Sequence, residues 1–250
     1  MKFNSGIFKH LIVLGSPLCV IFSSSCTLNL SNNTAHNSPK PPLPRDNENK
    51  INLDKNIKLL DKLPYKLGKT SQFEYNKAYK VRIEWIKDGD TFDFVELISN
   101  KPLTSRFSGV DTPEKTTKTK HGRVPTKGQQ LKYAQKATEF TTKMLQLPGI
   151  EVYCVFQKTK NGRDRFSDHY GRYVTINYIK YQGKYINLNS SLVRLGYARV
   201  QYISLSKRSK YFTENSAWFY ELEAAQDYAK QNKLGIWAPE ANIDKIYPYN

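Results

Sequence analysis

The stretch from Lys87 to Glu114, KDGDTFDFVELISNKPLTSRFSGVDTPE, restricts the fold more than any other, because short alternating apolar runs are interrupted there by turn residues. Asp88-Gly89 between two such runs is a hairpin signal, since glycine accepts the positive φ of a tight primed turn. Asp90 then sits at the mouth of a strand that runs through Phe92 and Phe94 to Ile98. Pro102 helps to turn the chain, and Leu103 to Gly109 returns it with Arg106 on the way. Thr112-Pro113 stops the return strand, because proline cannot donate to a ladder and holds its predecessor extended. Asp90 and Asp111 therefore both fall at strand ends, where they can converge.

Asp88, Asp90, Asp93, Asp111 and Glu114 concentrate negative charge in a chain whose formal net charge is +17. Asp88 by itself reads as a turn former. As a set, converging carboxylates without sulfur or imidazole nearby suit a hard cation, calcium or magnesium, which takes oxygen ligands, backbone carbonyls and water. Asp90, Arg106, Asp111 and Glu114 together supply what phosphoryl transfer requires: a cation site, a guanidinium for phosphate oxygens and a spare carboxylate for water.

Further strands are expected over Tyr79 to Ile86, Ile150 to Phe156 and Arg172 to Tyr178. Tyr133, Ala137, Phe140 and Met144 recur at helical spacing within Gln129 to Leu145, and Pro148-Gly149 ends that segment. A second helix carries Leu188, Leu192 and Leu195 and closes at Gly196; a third spans Glu214 to Lys233 and closes at Gly235. Five strands interleaved with helices give an α+β chain with one hydrophobic core.

The segments IKDGDT, RFSGVDTPE, DHYGR (Asp168 to Arg172) and LGIW (Leu234 to Trp237), in that order, resemble the thermonuclease or staphylococcal nuclease family. The resemblance covers residues 73 to 238. It implies a five-stranded OB-fold barrel with three helices. It also implies a calcium site made by Asp90, Asp111 and the Thr112 carbonyl, with Arg106 and Arg172 clamping the scissile phosphate. Glu114 is implied to orient or deprotonate water, and Tyr170 and Tyr202 to lie near the nucleotide. His169 stands where the family has lysine, in a position to donate to a phosphate. The activity implied is hydrolysis of DNA and RNA to 3′-phosphate products by a monomeric enzyme.

Outside that region, residues 1–25 read as an export signal, with Lys2 and Lys9 before an apolar Leu11 to Phe22 that is short for a membrane span. Ser23 to Ser25 precede Cys26, an arrangement that resembles a bacterial lipoprotein signal; it implies a lipid on Cys26 and anchoring to the outer face of the cell membrane. Residues 26–72 are expected to form a tether, with a proline cluster at Pro39, Pro41, Pro42 and Pro44 and a short helix within Ile51 to Lys69. The domain is expected over 73–250.

Loss of Cys19 with the signal and modification of Cys26 leave Cys154 alone in a strand pattern, which excludes an intramolecular disulfide and favours a small buried hydrophobe. Two of the four histidines, His10 and His36, precede the domain, leaving little for a two-histidine ribonuclease mechanism. The first 72 residues hold ten basic and four acidic groups, so +11 of the formal +17 falls on 73–250. A polyanion is the natural partner for such a surface. The KTTKTK run, Lys115 to Lys120, reads as a flexible solvated loop beside Glu114, in a position to guide the strand being cut. Two other functions fit the charge: an OB-type nucleic-acid-binding lipoprotein without turnover, and a polyanion-binding adhesin that needs no metal.

Overall fold

The computed structural model describes residues 52–70, 72–160 and 162–248. The export signal, Cys26 and the proline-rich tether lie outside the described residues. In chain order the elements are β1 (Leu59–Leu60), β2 (Lys66–Leu67), β3 (Lys77–Asp88), β4 (Thr91–Glu96), β5 (Lys101–Phe107) and β6 (Val110–Asp111). Next come β7 (Thr116–Thr119), β8 (Gly122–Pro125), α1 (Gly128–Leu145), β9 (Glu151–Phe156), β10 (Tyr173–Tyr181) and β11 (Lys184–Asn187). The chain continues through α2 (Leu188–Arg194), β12 (Arg199–Val200), α3 (Ser216–Gln231), a 3-10 turn (Gly235–Trp237) and α4 (Ile243–Ile246).

Five strands close into a barrel. β3 pairs with β4 and β9, β4 with β5, β5 with β10, and β10 returns to β9; the β5–β10 pair is parallel and the others are antiparallel. Closure removes the sheet edges that an open five-stranded sheet would expose. Alternation on β4 sends Phe92 and Phe94 fully inward, where Phe92 meets Phe107 edge to face at 5.6 Å between centroids. Trp218 and Leu222 of α3 bury against the same core. The fold is the α+β barrel expected, with four α-helices among the described residues where about three were foreseen, the additional one, α4, being a single turn. Cys154 is fully buried in β9, and burial pushes its thiol well above the usual range, so it behaves as packing.

Several boundaries differ from the sequence reading for identifiable reasons. β4 stops at Glu96 rather than Ile98, because the buried Glu96 carboxylate accepts the backbone N–H groups of Ile98 and Ser99 at 2.8 and 2.7 Å and turns the chain. The helix expected within 51–69 does not form. Leu59 and Leu60 instead pair with Ile186 and Tyr185 on β11, while Lys66 and Leu67 pair with Lys77 and Ala78 on β3. The first pairing offers partners to the outer strand β11, and the second to the start of β3, before its pairing with β4 begins at Val81. Ile57 joins the core and Arg194 donates to the Asn56 carbonyl at 2.9 Å, so the segment expected as tether up to 72 packs on the barrel well before that point.

A buried polar network ties the β5–β6 corner to the barrel. The Asn189 amide donates to the carbonyls of Ser108 and Thr175 at 3.2 and 3.1 Å and accepts from the Asn177 backbone at 2.9 Å. Asn189→Ala would remove these bonds from the buried Asn177 N–H and Ser108 carbonyl, while the Thr175 carbonyl keeps the Ser108 N–H at 2.8 Å, so we expect a loss of roughly 2–3 kcal/mol of stability. Urea denaturation of parent and variant would measure it; an unchanged midpoint would contradict the role given to this network.

Candidate active site

The turn between β3 and β4 forms as expected but for a different reason. Gly89 is absent from the glycines with positive φ. A Cβ at this position would lie 2.7 Å from the Ala137 Cβ of α1 and 2.8 Å from the Thr112 Cγ2, so close approach is what demands glycine here. Thr141 of α1 fastens the turn by donating to the Gly89 carbonyl at 2.7 Å. Asp90 is thereby held against Thr112, whose backbone N–H and hydroxyl both donate to Asp90 Oδ2, at 2.8 and 2.9 Å.

The β4–β5 register sets Thr91 opposite Arg106, which places the arginine next to Asp90. The Arg106 guanidinium ion-pairs with Asp90 Oδ1 and, at 3.3 Å, with Asp111 Oδ1. All three are shielded: Asp90 is 2% exposed, Asp111 6%, and the Arg106 side chain 12%. Gly109, at φ +71°, makes the corner that brings Asp111 in, and a Cβ there would meet Leu222 Cδ1 at 2.4 Å. Asp90, Arg106, Asp111 and Thr112 thus converge as the strand-end reading required.

Glu114 lies at the open rim. Partial burial, together with the negative charges of Asp88 and Asp111, pushes its carboxyl above the usual range, against the opposing pull of Arg106 and Arg123. Its own carbonyl accepts the Thr126 hydroxyl at 2.8 Å.

Arg172 is placed differently from Arg106. The β5–β10 register sets Val174 beside Arg106, so Arg172 precedes it by two positions, in the turn that leads into β10. Its guanidinium is held by Asp168 Oδ2, with Nε at 2.8 Å and a terminal nitrogen at 2.7 Å, and makes no ion pair with Asp90 or Asp111. The tight DHYGR turn is organised by the same Asp168, whose Oδ1 accepts from the backbone of Tyr170 and Arg172 at 2.9 and 3.0 Å. Tyr170 is 67% exposed, and the exposed His169 ring lies against it at 3.7 Å between centroids. The Arg172 guanidinium stands 5.3 Å from the Tyr170 ring centroid, leaving that ring with one cationic neighbour and a solvent-facing surface.

Tyr202 adopts a left-handed backbone, φ 60°, and its ring centroid lies 5.8 Å from the Arg106 guanidinium. Such a conformation is uncommon for tyrosine and is retained where the surroundings over-determine it. Tyr211 meets Tyr202 edge to face at 5.1 Å, extending the aromatic surface beside the arginine.

Two residues absent from the sequence reading complete the arrangement. Arg199 on β12 grips Asp111 Oδ2 with Nε at 2.9 Å and a terminal nitrogen at 2.8 Å, a fork that leaves Oδ1 to face Arg106. The buried Tyr247 lies 3.8 Å from Arg199 by its ring centroid and donates its hydroxyl to the Asp111 carbonyl at 2.8 Å. The register Arg199↔Asp111 is formed by a two-residue strand, too short to show as alternation in the sequence. Tyr247 follows α4, which carries no longer periodic pattern.

A small closed barrel that brings Asp90, Asp111, Arg106 and Arg199 together defines an OB-like α+β fold with a compact charged site. The profile described as "Staphylococcal nuclease homologue" matches residues 104–239, more than half of the chain, and the chain belongs to that family. Its domain is of nuclease type. It is 27% identical over 176 residues to an uncharacterised protein of Methanocaldococcus jannaschii, covering 67% of this chain and 76% of the relative. An uncharacterised protein of Bacillus anthracis is 28% identical over 169 residues, 68% of this chain and 65% of that one. Staphylococcal nuclease domain-containing protein 1 of Schizosaccharomyces pombe is 27% identical over 171 residues, 67% of this chain but 17% of the much longer relative.

Proposed function

We propose that the protein is a calcium-dependent nuclease that hydrolyses phosphodiester bonds of DNA and RNA, exported and held at the outer face of the membrane by a lipid on Cys26. The observation that carries the catalytic reading is Arg106 set between the shielded carboxylates of Asp90 and Asp111, with Glu114 at the rim. Positive charge is stabilised between those two carboxylates, and the donors there are all oxygen, which fits calcium. Among the described residues no three His, Cys, Asp or Glu side chains form a metal-holding group, so a cation would draw on Asp90, Asp111 and the Thr112 carbonyl together with water. When bound, calcium would supply Lewis-acid charge to a phosphoryl oxygen.

The remaining chemistry falls to the side chains. Glu114 orients water, and its raised proton affinity suits it to accept a proton as the water oxygen bonds to phosphorus. Arg106 and Arg172 donate to the non-bridging oxygens as negative charge develops on them, a task for which a planar fork is better than a point charge. The bond from phosphorus to the 5′-oxygen breaks, that oxygen takes up a proton, and the product keeps a 3′-phosphate. Tyr170, Tyr202 and His169 offer exposed rings to the nucleotide on either side.

Arg172 must exchange part of its Asp168 pairing for the phosphate, so Arg172→Lys, which cannot do both, is expected to reduce kcat about a hundredfold with little change in KM. Glu114→Gln is expected to lower kcat at least as far. Steady-state hydrolysis of DNA across a calcium titration, with a chelator control, tests both; near-parental kcat in the two variants at saturating calcium would falsify the assignment. Retained binding with no turnover in the parent would identify a silent OB-type binder instead.

The anchor reading is supported by the basic start, the apolar run and the serines before Cys26. No helix among the described residues is long and apolar enough to cross a membrane. Cys26→Ser is expected to move the protein from the detergent phase of a phase-partition experiment to the aqueous phase or to the medium. Unchanged partitioning would remove the lipid from the account.

A further inference from the structure

The segment after Glu114 is an ordered hairpin, β7 paired with β8, that stands apart from the eight-stranded sheet. It pairs with no strand of the barrel and buries none of its own residues: β8 is exposed throughout, as are Lys118 and Thr119 of β7. An isolated two-stranded ribbon of this kind has little stability of its own. It therefore contributes nothing to the core that would explain its presence.

Its charge is equally one-sided. Lys115, Lys118, Lys120, Arg123 and Lys127 lie within thirteen residues that hold no acidic side chain. Among the described residues none of the five forms an ion pair with a carboxylate, although carboxylates pair with lysine or arginine at ten contacts elsewhere. The register sets Lys118 directly across from Arg123, and like charges opposite one another in a ladder are unfavourable. A polyanion lying along the ribbon would convert that repulsion into attraction.

The ribbon is also tied to the site at its root. Thr126 donates its hydroxyl to the Glu114 carbonyl at 2.8 Å and its backbone N–H to the Lys115 carbonyl at 2.9 Å, while Lys115 Nζ donates to the Lys87 carbonyl beside the Asp90 turn. At the tip, Thr119 closes the turn by donating to the Gly122 carbonyl at 2.8 Å, and Gly122 has φ +111°. The cations are thus carried on a shaped arm that begins at the catalytic rim rather than on a loose tail.

We infer that the β7–β8 hairpin is a grip for the sugar–phosphate backbone of a polynucleotide beyond the scissile bond, so that the enzyme favours long strands over short oligonucleotides. The inference rests on the nuclease reading for its substrate and adds the length dependence. Contact is chiefly to phosphates, without sequence preference, because the arm presents ammonium and guanidinium groups, no Phe, Tyr or Trp, and His121 as its one aromatic ring.

The test is the double substitution Lys118→Gln with Lys120→Gln, at exposed positions where folding is not at stake. Binding of long single-stranded DNA is measured in a Glu114→Gln background across a salt series. With two phosphate contacts removed, the slope of log affinity against log salt should become shallower by roughly 1.4. In the catalytically intact protein KM for long single-stranded DNA should rise several-fold, while kcat and trinucleotide hydrolysis stay at parental values. An unchanged salt slope and KM, or an equal loss on the trinucleotide, would overturn the inference. Reduced binding to phosphatidylglycerol vesicles with unchanged DNA binding would show that the arm serves a lipid surface instead. If the parent cleaves neither substrate the nuclease reading fails, and the binding series still decides whether the arm holds nucleic acid.

Discussion

The structure depends on placing one guanidinium between two carboxylates at the end of a barrel, with all three shielded from water. Taking such charges out of solvent costs several kcal/mol per ion, and attraction between them recovers this only where the geometry is good and the remaining lone pairs are satisfied. Here they are. Asp90 spends its second oxygen on Thr112, and Asp111 spends its second oxygen on Arg199. The surrounding features follow from that requirement: the close approach at Gly89, the left-handed corner at Gly109, and the Tyr247 hydroxyl on the Asp111 carbonyl.

This arrangement links stability to chemistry. A group of charges held by packing from α1, α3 and the C-terminal turn cannot relax freely, so it is prepared for a ligand whose charge changes during reaction. The contrast with Arg172 is informative. Arg106 is enclosed and paired twice, whereas Arg172 is half-buried on a turn and paired with Asp168 alone. On the proposed function, Arg172 is the one of the two that would follow a phosphate as it enters or leaves. The basic surface works at longer range, by concentrating polyanions near a site whose own floor is acidic.

Much of this was legible in the sequence. The strand ends at Asp90 and Asp111, the core helix over Gln129 to Leu145 and the closed barrel follow from alternation, helical spacing and turn residues, joined to the family resemblance. What was not legible depends on contacts between distant segments. Arg199 meets Asp111 through a two-residue strand, and Tyr247 reaches the same residue from 136 positions away. The segment around Leu59 and Leu60 looked helical because its local pattern says nothing about the edge strand that captures it. The KTTKTK run looked like loose chain because threonine-rich basic segments are solvated in isolation; its order comes from Thr126 and Lys115 fastening the root.

The central claim is that Asp90 and Asp111 form a site for a hard divalent cation that Arg106 otherwise neutralises. The most direct measurement is the thermal unfolding of the protein with calcium and with chelator, beside Asp90→Asn and Asp111→Asn. A ligand that binds only the folded state stabilises it in proportion to the logarithm of its concentration over Kd. The account predicts that calcium raises the parental Tm, with the rise continuing as the logarithm of calcium concentration above Kd, and that either substitution abolishes most of the rise. An equal calcium-induced rise in all three proteins, or none in the parent at millimolar calcium, would contradict it.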